Sequence, residues 1–598
     1  MKYKKYLFFI LLFIIFLFSL TGCTMSPSLS PKCTIIFEDN PSLFFPKQLY
    51  EIDRSDNLSI SIGVPHGERI ASVNYDDYTI SAKTSESLSF DYYTLTLYQV
   101  RYSLVLRLST APVYTTFYHF GKDNLQCMSI TEESPHLYCN TLPYQNQFHQ
   151  EGFLAIGWNT AANGTGTHVG FGSRIDRTGQ QHLDLYMEYL PCSPVADFTY
   201  LLQNNEITIT GYQGTGNLVI PCCINGFPVT SIASYAFEDL KISKLVFSPN
   251  LKSIQQNAFG KLAVEHLYFF DTIEAISESA FENYSIGTLH INASAAPVYS
   301  GSYFDTYSDK TDYLSSIKDF KKIILFCGSS ARFGYDSALI EQAFPDYKVV
   351  NMGVYAYSNM LPQADILLQY MKEGDILLSS PELDSISAQF CGKNTFDKKT
   401  FCLVESNYDL LTLLDTTKYT NIFTAFEQYN LTRKNMPPRS YLDSPSYYDE
   451  DGNPQHTFTY NRYGDYILHR ENNVERKNFG IKRAYYNADY IQSNDLSGLN
   501  AVYDAFANKG VTVCFTYSPR SNISLSEDST EESIHELDLF FRKNLHADVI
   551  SSITDSLMDP LYFYGTDNHL SSEGVLIHTK QVIEDLRPII EALSLEDL

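Results

Sequence analysis

Three textures of apolar and polar positions follow one another along the chain. From residue 33 to 195, short segments such as "LSISIGV", "YTLTLYQV" and "YSLVLRLS" alternate apolar with polar residues between turn-forming stretches. That period of two predicts strands, in a β-rich module over 33–105 and a second β-rich region over 106–195. From 196 to 295 the pattern becomes a repeat. "VTSIASYAF", "LKSIQQNAF" and "IEAISESAF" place Ile232, Ile254 and Ile276 at intervals of 22 residues, and Phe237, Phe259, Phe281 and Leu245, Leu267, Leu289 keep the same interval. Such a period predicts a solenoid whose units bury apolar faces only against one another. About three turns are close to the minimum for stability, so a packing or spacer role competes with ligand binding.

Residues 296–317 are small, polar and aperiodic, and read as a linker between two independently folding regions. Beyond them, from 318 to 598, apolar runs such as "KKIILFCG", "YKVVNMG", "GDILLSS" and "VTVCFTY" alternate with helical stretches such as "LSGLNAVYDAFANKG" and "EESIHELDLFFRKNL". This order predicts a parallel sheet with helices on both faces and a site at the carboxyl ends of its strands. A Tyr-, Asn- and Asp-rich insertion at about 385–490 interrupts it, the length at which loops serve as lids or binding elements. The expected fold class is thus multidomain: N-terminal all-β modules, a short repeat solenoid and a C-terminal α/β three-layer domain.

Candidate chemistry sits in that last domain. Gly328-Ser329-Ser330 ends its first strand, which places Ser330 at a sharp turn with backbone amides nearby. "YFYGTDNHLSSEG" puts Asp567 and His569 in a loop ahead of the final helix, and parallel strands deliver both ends of the domain to one sheet edge. His578 falls inside the final helix, where packing is the usual fate of a histidine. "YNRYGDY", residues 460–466, reads as a Tyr-rich surface turn, with substrate contact through Arg462 as the lesser alternative.

Charge and the N-terminus set the compartment. A net charge of −26 repels a polyphosphate backbone and excludes nucleic acid as a partner. Lys2, Lys4 and Lys5 precede an apolar run from Tyr6 to Leu20, the two parts of a secretory signal over residues 1–22. The run ends at Leu20-Thr21-Gly22-Cys23, which resembles the bacterial lipobox, and a polar tether over 23–32 follows. The resemblance implies lipidation at Cys23 and a chain held on the outer face of the cell membrane. The other ten cysteines show neither disulfide-scaffold nor metal-ligand spacing; Cys127 with Cys139, and Cys391 with Cys402, are near enough in sequence to pair. No metal site and no cofactor is expected.

Three further resemblances extend the reading. Gly152-Phe153, Gly157-Trp158-Asn159, Gly164-Thr165-Gly166-Thr167 and Leu185-Tyr186 resemble the Listeria-Bacteroides surface repeat over about 148–191, with Trp158 filling the core. Gly211-Tyr212, Ile220-Pro221 and Pro228-Val229 resemble the entry sequence of BspA-type leucine-rich repeats, for which a protein or cell-surface ligand is one expectation. Gly328-Ser329-Ser330, Asn351-Met352-Gly353 and the Asp567/His569 loop resemble the SGNH or GDSL hydrolases. That last resemblance implies Ser330 as nucleophile, His569 as base, Asp567 as orienting acid, and an oxyanion hole from Ser330 and Gly353. The sequence departs from the family at "GDILLSSPELDS", which offers Ser379, Ser380 and Glu382 in place of an asparagine, and in its shorter Asp-x-His spacing. The implied activity is that of a serine esterase or O-acyltransferase acting on acyl, chiefly acetyl, groups of envelope or extracellular glycans. The alternative is a noncatalytic adhesin or scaffold that binds through its repeats and β-modules.

Overall fold

In a computed structural model, the chain is described over residues 32–81, 84–87, 89–132, 138–177, 179–237, 239–299, 304–354, 358–383, 395–434, 460–472, 484–488 and 496–596. The signal segment, Cys23 and Cys391 lie outside these residues. The chain divides into two units, with the first cut after Thr115 rather than at 105. In the first unit, alternation of apolar and polar residues pairs Leu58–Pro65 antiparallel with Phe90–Leu97, and Lys32–Phe37 antiparallel with Leu49–Asp53. Ile60, Ile62, Val64, Leu95 and Ile35 form its core.

The second unit holds the described residues from 116 on, except 130–132 and 180–182, which belong to the first. Its β-module buries Trp158 completely, with edge-on contacts to Tyr118 at 4.8 Å, Phe148 at 5.3 Å and Phe171 at 5.7 Å. The indole N–H donates to the Leu142 carbonyl at 3.2 Å, so the one polar atom of this ring is satisfied. Cys127 and Cys139 do not pair with each other, Cys139 being buried and Cys127 exposed.

The 22-residue period appears as two parallel ladders. Ser231–Ile232, Ser253–Ile254 and Ala275–Ile276 stack in register on one side, and Leu240–Val246, Phe259–Phe270 and Phe281–Asn292 on the other. Between them Phe237, Phe259 and Phe281 form a column, with centroids 5.0 Å and 4.9 Å apart and planes within 14° and 4°. Each repeat thereby offers its neighbour an apolar face of its own shape.

The region expected to be a linker holds helix α1, Thr306–Ser316, with Tyr307 and Leu314 buried. Arg174 of the β-module grips it, reaching Asp309 at 2.5 Å, Asp312 at 2.7 Å and Asp305 at 3.2 Å. Beyond α1 the expected parallel sheet forms from β1 (Lys321–Phe326), β2 (Tyr347–Asn351), β3 (Ile376–Ser379), β4 (Thr512–Phe515) and β5 (Asp548–Val549), in the order β2-β1-β3-β4-β5. The pleat sends alternate residues to opposite faces. Ile323, Leu325, Val349 and Ile376 pack against Ile340, Val582, Ile583 and Leu586, on α3 (Ser337–Ala343) and α9 (Ser572–Glu596). Ile324, Phe326, Val350 and Leu377 face α4 (Met360–Leu368), α7 (Ser497–Ala507) and α8 (Glu531–Asn544) through Ile366, Leu499, Phe506, Leu537 and Phe541.

The insertion departs from a loop. Its described part contains α5 (Lys398–Val404) and α6 (Ile422–Lys434), both with buried faces. Helix α6 closes the end of the solenoid. Phe423 continues the phenylalanine column, stacking on Phe281 at 3.9 Å, while the Glu427 carboxylate accepts from the Ile276 N–H at 2.9 Å and Asn430 donates to the Ile273 carbonyl at 2.9 Å. The last repeat's open edge is thus paired by residues that come more than a hundred positions later, so the repeats and the α/β region share one core.

Candidate active site

The serine turn forms because β1 ends at Phe326 and a four-residue helix, α2 (Ser329–Arg332), starts immediately after Gly328. Successive helical residues point about 100° apart, so the two serines diverge. Ser329 stays half-exposed while Ser330 is fully buried. The Ser330 hydroxyl meets the Cys327 thiol at 3.1 Å, and Cys327 also bonds the Ser380 carbonyl. Ser329 Oγ instead lies 2.9 Å from His569 Nε2. The expected contact between Ser330 and His569 is not made; the structure brings the histidine to the neighbouring serine.

The acid expected beside His569 is also otherwise engaged. Asp567 Oδ2 accepts from Arg520 Nη1 at 2.6 Å, both side chains being buried, and among the described residues no hydrogen bond joins Asp567 to His569. The imidazole rests instead on the Phe333 ring, 4.3 Å between centroids. Burial pushes the His569 pKa well below its ordinary value, and the guanidinium groups of Arg332, Arg470 and Arg520 push the same way. The ring is therefore neutral at neutral pH, the form that can take a proton.

The two expected oxyanion donors are spent on side chains. The Gly353 N–H donates to Asn351 Oδ1 at 2.9 Å. Glycine is required there by close approach, since a Cβ would lie 2.6 Å from the Arg332 amide nitrogen and 2.8 Å from the Gly328 carbonyl. The Ser330 N–H donates to Glu382 Oε1 at 2.7 Å, and the other carboxylate oxygen accepts from Asn568 Nδ2 at 2.8 Å. Glu382 was legible only as a departure from an expected asparagine; its bridge between the serine turn and the histidine loop was not.

Residues 460–466 are no surface turn. Tyr463, Asp465 and Tyr466 are buried, and the Asp465 carboxylate accepts from the Ser337 N–H at 2.9 Å and Asn351 Nδ2 at 2.9 Å. Arg470 then ties three segments by donating to the carbonyls of Leu570 at 2.9 Å, Tyr466 at 3.1 Å and Phe333 at 3.4 Å. Arg462 itself points outward, bonding the Tyr463 hydroxyl at 2.7 Å. His578 is packed, with Nδ1 2.8 Å from the Gly334 carbonyl. Among the described residues no cluster of three or more His, Cys, Asp or Glu side chains has metal-binding geometry.

A family model described as "BspA type Leucine rich repeat region" matches residues 226–331 in six copies. This similarity supports a surface or adhesin-like role at most. No curated protein and no solved structure matches the chain.

Proposed function

We propose that this chain is a lipid-anchored cell-surface serine esterase or O-acyltransferase of the SGNH kind, acting on acyl, chiefly acetyl, groups of envelope or extracellular glycans. The observation that carries the reading is the 2.9 Å approach of His569 Nε2 to a half-exposed serine hydroxyl at the carboxyl edge of a parallel sheet. In this reading Ser329 Oγ attacks the ester carbonyl and His569 takes its proton. The same proton returns to the leaving alcohol, and water or a glycan hydroxyl then releases the acyl group from Ser329. Localisation through Cys23 and the glycan substrate belong to the proposal, resting on the N-terminal signal and the resemblance.

Labelling of the protein with a fluorophosphonate, followed by peptide mass spectrometry, tests it. Modification is expected on Ser329, and Ser329→Ala is expected to lose both label and hydrolysis of p-nitrophenyl acetate. A folded protein that carries label elsewhere, or none, overturns the reading. The second reading, an adhesin or scaffold, is favoured by the repeat match and by a groove of about 620 Å³ where Lys241, Lys261 and Tyr284 of the solenoid face Tyr419.

A further inference from the structure

Glu382 has a contact set that the proposed reaction does not use. Its Oε1 lies 2.7 Å from the Ser330 amide nitrogen and 3.4 Å from Ser329 Oγ. A tetrahedral intermediate on Ser329 carries its negative oxygen on the carbon that Oγ has attacked and needs that oxygen about 3 Å from a backbone donor; the amide following the nucleophile is such a donor. Glu382 already places an oxygen on that donor, on the side where Ser329 Oγ lies. Its second oxygen is anchored by Asn568, the residue before the base, and the side chain is buried. The carboxylate is thus held from both sides, by the serine turn and by the histidine loop.

We infer that Glu382 is the residue that controls access to the oxyanion position: its carboxylate stands in for the oxyanion in the resting protein and must leave before an acyl carbonyl can be attacked. The inference rests on the proposed role of Ser329 and His569. Two negative oxygens cannot share one N–H, so an ester carbonyl that develops charge there competes directly with Glu382. The tie to Asn568 gives the displaced carboxylate a second partner, and it gives substrate contacts near the His569 loop a route to the amide. Ser329, Ser330 and Asn568 are among the groups that face this carboxylate, and the Cys327 thiol lies close enough that burial and then Glu382 raise its pKa to about 12.

The rate of fluorophosphonate labelling tests the inference, because phosphonylation makes the same demand. Ser329 Oγ forms the P–O bond, fluoride leaves, His569 takes the proton, and the phosphoryl oxygen must occupy the amide. Glu382→Gln removes the charge at nearly constant shape, and its labelling at Ser329 is expected to be at least about tenfold faster than wild type, what exchanging a charged for a neutral hydrogen bond gives. Glu382→Asp, which withdraws the carboxylate by one methylene, is expected to accelerate labelling too and serves if the first variant does not fold. Folded variants that label at the wild-type rate or more slowly overturn the inference and make Glu382 a positioning residue. Labelling of wild type at Ser329 without that acceleration sinks this inference alone. No label at Ser329 in folded wild type sinks the proposed function, and this inference with it.

Discussion

The solenoid and the strand-end cluster bury large side chains by opposite means. Between the repeats the interior is apolar and self-similar: Phe237, Phe259 and Phe281 are interchangeable members of one column, and each is satisfied by contact alone. At the carboxyl edge of the sheet the interior is charged and each partner is unique. Arg332, Arg470, Arg520, Glu382, Asp567 and His569 are all nearly inaccessible to solvent. Burial of apolar area stabilises wherever it occurs, whereas buried charges cost desolvation that only well-placed partners offset. Arg174 with its three aspartates shows that a fold can hold such a cluster as a structural tie, so the chemical reading of the strand-end cluster rests on the serine that His569 meets.

The sharpest way to break this contrast is His569→Ala. If the cluster is chemical, hydrolysis of p-nitrophenyl acetate should fall by about 10³-fold or more, since nucleophile and base act as a unit, while urea unfolding changes little by comparison. Loss of stability with retained turnover would make the cluster structural like the solenoid.

Two stability experiments follow in size. Phe259→Ala opens the column on both sides and should cost about 3–5 kcal/mol, read from the urea midpoint. Arg520→Met strands the Asp567 carboxylate in the interior and should cost a similar amount, about 3–5 kcal/mol. Here the double variant Arg520→Met/Asp567→Leu separates the regions. Removing both charges should recover most of the loss, a rescue that no second truncation in the phenylalanine column can give.

How far each region is legible in the sequence follows from the same physics. The solenoid's rule is local and periodic, so Ile232, Ile254 and Ile276 announce themselves at 22-residue spacing. The alternation of strands and helices after residue 318 is legible for the same reason. What closes these elements is not: the α6 cap meets Ile273 and Ile276 from residues 427 and 430, and polar composition hides the buried face of α1. At the site, family spacing selects Ser330, but the short helix α2 turns that side chain toward Cys327 and leaves Ser329 on the open side. Asp567 lies two residues from His569, yet Arg520 takes it from 47 positions away. Charge pairing is decided in three dimensions, and sequence neighbours have no priority in it.

Acid separates the regions more gently. A histidine buried neutral binds its proton less readily in the folded than in the unfolded chain, so stability is lost as pH falls below the unfolded value of about 6.5. Burial lowers His578 to about 4, while its bond to the Gly334 carbonyl opposes the shift. Between pH 7 and pH 4 this group alone should remove on the order of 3 kcal/mol, and His578→Gln should flatten that limb of the urea-stability profile. The catalytic profile should differ. With His569 held well below 6.5 by burial and by Arg332, Arg470 and Arg520, turnover should persist into mild acid, and Arg332→Gln should move the acid limb upward. A wild-type limb centred near 6.5 would mean that the arginines do not act on the base.

The smallest expected effect discriminates most finely, because Ser330 and Ser329 are adjacent and chemically identical. Ser330→Ala removes one hydroxyl that meets only the Cys327 thiol at 3.1 Å in a fully buried position. Nothing charged is left unpaired, the backbone N–H that meets Glu382 remains, and the cavity is that of a single oxygen. The cost should be about 1 kcal/mol in stability, with turnover within about threefold of wild type. Ser329→Ala should show the reverse pattern, near-neutral in stability because the residue is half-exposed, yet inactive. If Ser330→Ala were the silent protein, the imidazole must reach the buried serine by a rotation of α2, and the strand-end cluster would be a mobile site. Retained turnover in Ser330→Ala, with the label still on Ser329, leaves the site as rigid as the column of phenylalanines beside it.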